Sequence, residues 1–181
     1  MKQFELQNNL LRLRVKKAHF LLRAFLFFCA FVFFILPSTL TIVSIIDRSF
    51  HFGFLISIIG GGFFGFLILR NYLWNSFGEE LIEFKPGEIS YEANYRWFKD
   101  GKRNTILEEF YFGISPVGYV EDNLGVLIIM GGKLNIDLDS EVDEINHLSY
   151  LSIESVVKMP IDQLEELIEL LDLKFRPDEV D

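Results

Sequence analysis

Ala24–Ile46, AFLFFCAFVFFILPSTLTIVSII, and Phe52–Leu69, FGFLISIIGGGFFGFLIL, decide how this chain is read: 23 and 18 residues, neither run holding a charge. At ~1.5 Å rise per residue they reach roughly 34 and 27 Å, against a bilayer hydrocarbon core of about 30 Å. Only Asp47-Arg48-Ser49-Phe50-His51 separates them, a polar link too short to hold a domain. The pair reads as a transmembrane helical hairpin. A secretory signal has a shorter apolar core, about 7–15 residues, with no second span directly after it. A buried pair of soluble helices rarely reaches both lengths.

Charge divides at the end of the hairpin. Up to Asn75, eight Lys/Arg face two acidic residues, a balance of +6; from Ser76 onward, nine basic residues face 24 acidic ones, a balance of −15. So acidic a C-terminal part repels phosphate polymers, and no nucleic-acid partner is expected. Half of the whole chain is hydrophobic, more than the hairpin accounts for, so the remainder must bury a core of its own. The one cysteine, Cys29, lies inside the first run and behaves there as a small apolar residue. Orientation follows from Arg12, Arg14, Lys16, Lys17 and Arg23 before the first span, against Arg48 alone in the link. The positive-inside bias puts both termini in the cytoplasm, as a multi-pass protein of the cell (inner) membrane.

Residues 1–19 gather Phe4, Leu6, Leu10, Leu11, Leu13 and Val15 among basic residues. They read as a basic juxtamembrane segment, either an amphipathic helix on the inner leaflet or a cytoplasmic extension of the first span. The hairpin domain is 20–75. Pro37 interrupts its first helix, followed by the hydroxyls Ser38, Thr39, Thr41 and Ser44. Gly61 and Gly65 have the small-xxx-small spacing that admits a close helix neighbour, in the same chain or in a second subunit. Arg70, Tyr72 and Trp74 fall where interfacial anchors belong.

From 76 to 181 the pattern turns to alternation between turn signals. Strands are expected at Glu80–Phe84, Glu88–Phe98, Thr105–Phe112, Gly125–Met130 and Lys133–Asp139, with a further one near Tyr150–Val157. Asp100-Gly101 marks a hairpin turn, and the set suggests a small antiparallel barrel or sandwich. Pro160–Leu173 is an amphipathic helix whose stripe of Ile161, Leu164, Leu167, Ile168 and Leu171 covers that core or binds a partner. The class is therefore α+β.

Two membrane helices, a short connection, antiparallel strands around Asp100-Gly101 and the helix Pro160–Leu173 resemble bacterial membrane proteins carrying a pleckstrin-homology-like domain. The resemblance rests on architecture and not on a motif. It implies a partly open barrel capped by a helix, used for protein or lipid contact and not for catalysis. The acidic stretch 140–150 departs from a compact example.

Sites of chemistry are few. His19, His51 and His147 are scattered and have no cysteine partners, so no zinc site is expected. Gly132-Lys133 lacks the rest of a phosphate loop. Asp137, Asp139, Glu141 and Asp143 resemble a calcium loop, but Val142 and Leu148 stand where glycine and glutamate are needed. No nucleophile is paired with a base, and neither a cofactor nor an enzyme is expected. The strongest local candidate is Arg96-Trp97-Phe98-Lys99-Asp100-Gly101-Lys102-Arg103, which crowds four cations beside two aromatics. Facing a bilayer, Arg96, Lys99, Lys102 and Arg103 would meet phosphates while Trp97 and Phe98 enter the interface; otherwise it is a solvated turn with Trp97 packed inward. Two functions compete. One is a membrane-anchored, non-catalytic interaction module with the bilayer and an unknown protein as partners. The other is an oligomeric membrane effector or pore component, a homo-oligomer through the hairpin, gated by a ligand-sensing β domain.

Overall fold

The computed structural model describes residues 2–49, 51–106, 109–132 and 151–175. Two compact units emerge: residues 16–78, and residues 1–15 together with 79–181.

The first unit is the hairpin. Helix α1 (Phe20–Ile46) and helix α2 (Phe52–Phe77) have 27 and 26 residues, about 40 and 39 Å at ~1.5 Å per residue. Each is long and apolar enough to cross a membrane. Only 11% and 6% of their most apolar windows are buried, whereas a soluble core helix would be mostly covered. Phe25, Phe28, Ile42, Ile56, Ile59 and Phe63 all point outward, a surface that lipid accommodates and water does not. These features support membrane association.

The helices meet through Gly61 and Gly65. A Cβ on Gly61 would lie 2.5 Å from Pro37 Cγ and 2.7 Å from the Phe33 carbonyl; on Gly65 it would lie 3.1 Å from the Phe34 ring. Proline has no N–H to give the carbonyl four residues back, so the oxygen that Pro37 leaves without its helical donor is the one Gly61 approaches. The hydroxyls after Pro37 turn to their own helix: Ser38 donates to Phe34 O (2.7 Å), Thr41 to Pro37 O (2.8 Å) and Ser44 to Thr41 O (2.8 Å). At the other end the Tyr72 ring packs tilted against Phe27, centroids 5.3 Å apart, and Ala18 N–H donates to Asn75 O at 3.2 Å. Residues 75–77 complete the last turn of α2, and Gly78 is its C-cap. Gly78 ends it because a Cβ there would lie 2.5 Å from Trp74 O and 2.8 Å from its indole.

The second unit contains two antiparallel sheets. The first runs in sequence order: β1 (Phe4–Gln7), β2 (Leu10–Arg14), β3 (Glu79–Lys85), β4 (Glu88–Asn94) and β5 (Lys99–Ile106). The second is β6 (Glu109–Pro116), β7 (Leu124–Gly132) and β8 (Leu151–Glu154), with β9 (Met159–Pro160) also on β7. The C-terminal helix α3 (Ile161–Phe175) packs on β6 and β7. Among the described residues no strand pairing joins the two sheets, so the expected barrel does not close. The strand expected at Lys133–Asp139, the acidic stretch 140–150 and the calcium-like run lie outside the described residues.

The clearest departure is at the N-terminus. Residues 4–14 form a β-hairpin, not a helix, and β2 pairs with β3 from Leu10↔Glu83 to Arg14↔Glu79. Leu11 and Leu13 are fully buried with Ile82, Ile89, Leu127, Ile129, Met159, Leu164, Leu167 and Leu171. Gln3 fastens the hairpin to the helical end: its N–H donates to Gln163 Oε1 (3.2 Å), and its amide to Lys158 O (3.3 Å). The stripe of α3 faces this core, with Ile168 at its margin.

Candidate functional site

The register of the first sheet fixes where the basic turn lies. Arg14 pairs with Glu79, and Glu79 with Asn94. The chain therefore leaves β2, enters β3 and turns out of β4 all at one end of the sheet, on three adjacent strands about 4.8 Å apart.

The turn is not at Asp100-Gly101. Alternation holds through Ile89, Tyr91, Ala93 and Tyr95, all buried, and stops at Arg96, whose φ is +74°. Tyr95 N–H donates to Phe98 O at 2.9 Å, Asn94 Oδ1 accepts from Arg96 N–H at 2.9 Å, and the Tyr95 and Phe98 rings stack 4.7 Å apart. Gly101, with φ +66°, lies within β5, where the register slips between Tyr91↔Arg103 and Ala93↔Asp100. It is a bulge position that favours glycine. Asp-Gly suits a bulge as well as a turn, so the dipeptide alone did not choose between them.

The structure brings the candidate residues only partly together. Arg96 and Trp97 stand at the tip, Trp97 outward and 67% exposed, not packed inward. Phe98 lies in the stack, half-buried. Lys99 is held by Glu92 at 2.6 Å. Lys102 and Arg103 are exposed further along β5, which among the described residues pairs with β4 alone, and charge on such a strand discourages pairing with a foreign one. Of the anchors, Tyr72 lies between Phe27 and Phe77, Trp74 lies over Gly78, and Arg70 is half-buried on α2.

Glu80 was not singled out by sequence reading. Fully buried, it accepts hydrogen bonds from Tyr91 Oη (2.8 Å), Val156 N–H (2.6 Å) and Val157 N–H (3.4 Å). Those amides lie just after β8, where Ser155 is bonded to Leu127 through both backbone and hydroxyl. One carboxylate thus clamps the first sheet to the second. Burial raises its pKa above the ordinary carboxylate range, against the opposing pull of its three donors. The Tyr91 hydroxyl is also pushed up, by burial and then by Glu80. A signal existed: the period of two places Glu80 on the face of Ile82 and Phe84.

Among the described residues, no group of three or more His, Cys, Asp or Glu stands ready for a metal ion. No protein-family model, curated protein or solved structure matches this chain.

Proposed function

We propose that this chain is a membrane-anchored, non-catalytic interaction module, its hairpin holding a pleckstrin-homology-like β domain at the cytoplasmic face of a cell membrane. The observation that carries this reading is the pairing of Arg14 with Glu79. The β domain is joined to the hairpin by two covalent connections on neighbouring strands, one after Val15 and one at Gly78. A single tether lets a domain swing, whereas two on adjacent strands restrain that freedom. Trp97 at the β4–β5 turn, with Lys102 and Arg103 further along β5, supplies an aromatic and cations suited to a lipid interface. Lys16 and Lys17 before α1 and Arg23 in its first turn, against Arg48 in the link, support the cytoplasmic side. An assembled pore draws less support, because the first helix spends its hydroxyls on its own carbonyls and Gly61 and Gly65 are taken up by α1.

Reporter fusions after Asp181 and within residues 47–51 test the orientation. The reading requires a C-terminal reporter active in the cytoplasm and a link reporter active outside; the reverse pattern overturns it. For the turn, Trp74→Phe leaves Trp97 as the sole tryptophan of two. Brominated lipid should then quench Trp97 more in anionic than in neutral nanodiscs, and Lys102→Glu with Arg103→Glu should erase the difference. Absence of quenching in either lipid removes the lipid role and leaves protein contact.

A further inference from the structure

We propose that Arg23 and Ser76, at the end of the α1–α2 seam that bears Lys16 and Lys17, hold the phosphate of an anionic membrane phospholipid. This rests on the hairpin lying in a bilayer and adds a ligand site to it.

The seam puts the two side chains on facing sides of the helices. Arg23 lies one turn before Phe27 on α1, and Ser76 one turn after Tyr72 on α2, next to the contact those two rings make at 5.3 Å. Arg23 is also two turns before the buried Ala30, and Ser76 three turns after the buried Gly65, so both continue the stripes along which the helices meet. Beside them Ala18 N–H donates to Asn75 O at 3.2 Å. That bond draws the segment carrying Lys16 and Lys17 to the same end of the hairpin.

Depth selects the headgroup layer. From Asp47, the C-cap of α1, Arg23 lies about 36 Å back along the axis; from His51, the N-cap of α2, Ser76 lies about 38 Å onward. With the link at the opposite edge of a hydrocarbon core about 30 Å thick, both stand several ångströms beyond it, where lipid phosphates are.

Both side chains also carry a buried polar atom that is left over. Ser76 is 2% exposed, and among the described residues neither its Oγ nor the Arg23 Nε has a hydrogen-bond partner. Ser38, Thr41 and Ser44 each donate to a carbonyl of their own helix; Ser76 does not. A buried donor without an acceptor is costly, and a planar guanidinium matches a phosphate with paired hydrogen bonds. Arg23 as a whole is half-buried, so a phosphate at the mouth of the seam can reach it. The hairpin's own sequence offers no carboxylate there, since Lys16 to Ile46 and Phe52 to Gly78 contain neither Asp nor Glu. Lys16 and Lys17, both exposed, repel an ammonium group on the headgroup, which favours an anionic phospholipid over a zwitterionic one.

The test titrates the full chain in detergent with phosphatidylglycerol or phosphatidylcholine of the same acyl chains, read by native mass spectrometry. One phosphatidylglycerol should bind saturably, about tenfold more tightly than phosphatidylcholine. Arg23→Gln should weaken it by about tenfold, and Arg23→Lys, which keeps the charge without the fork, should recover only part of the loss. Ser76→Ala should weaken both lipids alike, Lys16→Gln/Lys17→Gln should abolish the preference, and Arg48→Gln at the far end should change nothing. Thermal unfolding in the same detergent checks each fold; should Arg23→Gln unfold, a wild-type affinity in Arg23→Lys overturns the proposal. Equal binding of the two lipids, or indifference to both Arg23→Gln and Ser76→Ala, also overturns it. Inorganic phosphate that displaces phosphatidylglycerol at similar concentration assigns the site to the free anion and overturns the lipid. Incorporation of the chain into nanodiscs reads membrane insertion by itself, so failure of this site is distinguishable from failure of the anchoring reading.

Discussion

At the residue scale, glycines in one helix separate into two kinds. Gly61 touches Pro37 and the Phe33 carbonyl, while Gly60 and Gly62 have nothing within 4 Å of a built Cβ. Gly61→Leu should therefore lower hairpin stability by about 1–3 kcal/mol through overpacking, and Gly60→Leu or Gly62→Leu should leave it nearly unchanged. Thermal unfolding of the three variants in detergent checks this; equal losses would show that the glycine contact does not hold the hairpin. Glu80 makes a pH prediction. Its folded pKa is raised above the ordinary 4.5, so protonated Glu80 stabilises the domain below that value. The contribution is lost as pH rises through the folded value. Relative to Glu80→Gln, the wild type should lose stability as pH increases over that window and run parallel to it above. Glu80→Ala should cost more at every pH, about 1–3 kcal/mol for each donor of Tyr91 and Val156 left without an acceptor. Denaturant titration from pH 4 to pH 8 reads both effects, and a flat difference curve sinks the assignment.

At the element scale, the turn between β4 and β5 and the packing of α3 behave differently under substitution. Arg96 has φ +74° and Gly101 φ +66°, both in the left-handed region where a glycine is easier than a larger side chain. Arg96→Gly should be neutral or stabilising by up to about 1 kcal/mol, whereas Gly101→Val should destabilise the β4–β5 pair. Beneath α3, Gly125 lets the helix approach the second sheet: a Cβ there would lie 2.8 Å from Ile114 and 2.9 Å from Leu164. Gly125→Val should cost about 1–3 kcal/mol by overpacking. It should also loosen α3 first, which amide exchange of α3 against β3 would reveal. Uniform protection loss would instead point to global unfolding.

At the scale of the whole molecule, the β domain is discontinuous in sequence, and residues 79–181 are not the complete unit. Removing residues 1–15 strips the buried Phe4, Leu11 and Leu13 from the core. At ~1.5–3 kcal/mol for each such side chain, the loss rivals the 5–15 kcal/mol that holds an ordinary domain together. Residues 79–181 alone should be protease-sensitive and aggregate. Joining residues 1–15 to Glu79 through a short glycine-rich linker should restore dispersed amide resonances, since Arg14 and Glu79 already lie on neighbouring strands. A well-folded 79–181 fragment would show that the N-terminal hairpin is an accessory.

The sequence by itself determined the elements whose signal is local. Long uncharged runs can only be helices in a membrane setting, so α1, the start of α2, the amphipathic α3 and the alternation of β3 and β4 were legible, although α2 runs on past Leu69 to Phe77 and β4 stops at Asn94. The tertiary structure decided what depends on partners far along the chain. Residues 4–14 carry both a basic amphipathic composition and a period of two around Asn8-Asn9. Only pairing with β3, some seventy residues onward, gives Leu11 and Leu13 a core to enter. Asp100-Gly101 fits a turn or a bulge equally, and the Tyr95–Phe98 stack together with the slipped register chose the bulge. Glu80 looks like one acidic residue among many until the amides of Val156 and Val157 arrive beside it. Hydrophobic period is written in neighbouring residues, but register and the satisfaction of a buried charge exist only once distant strands have met.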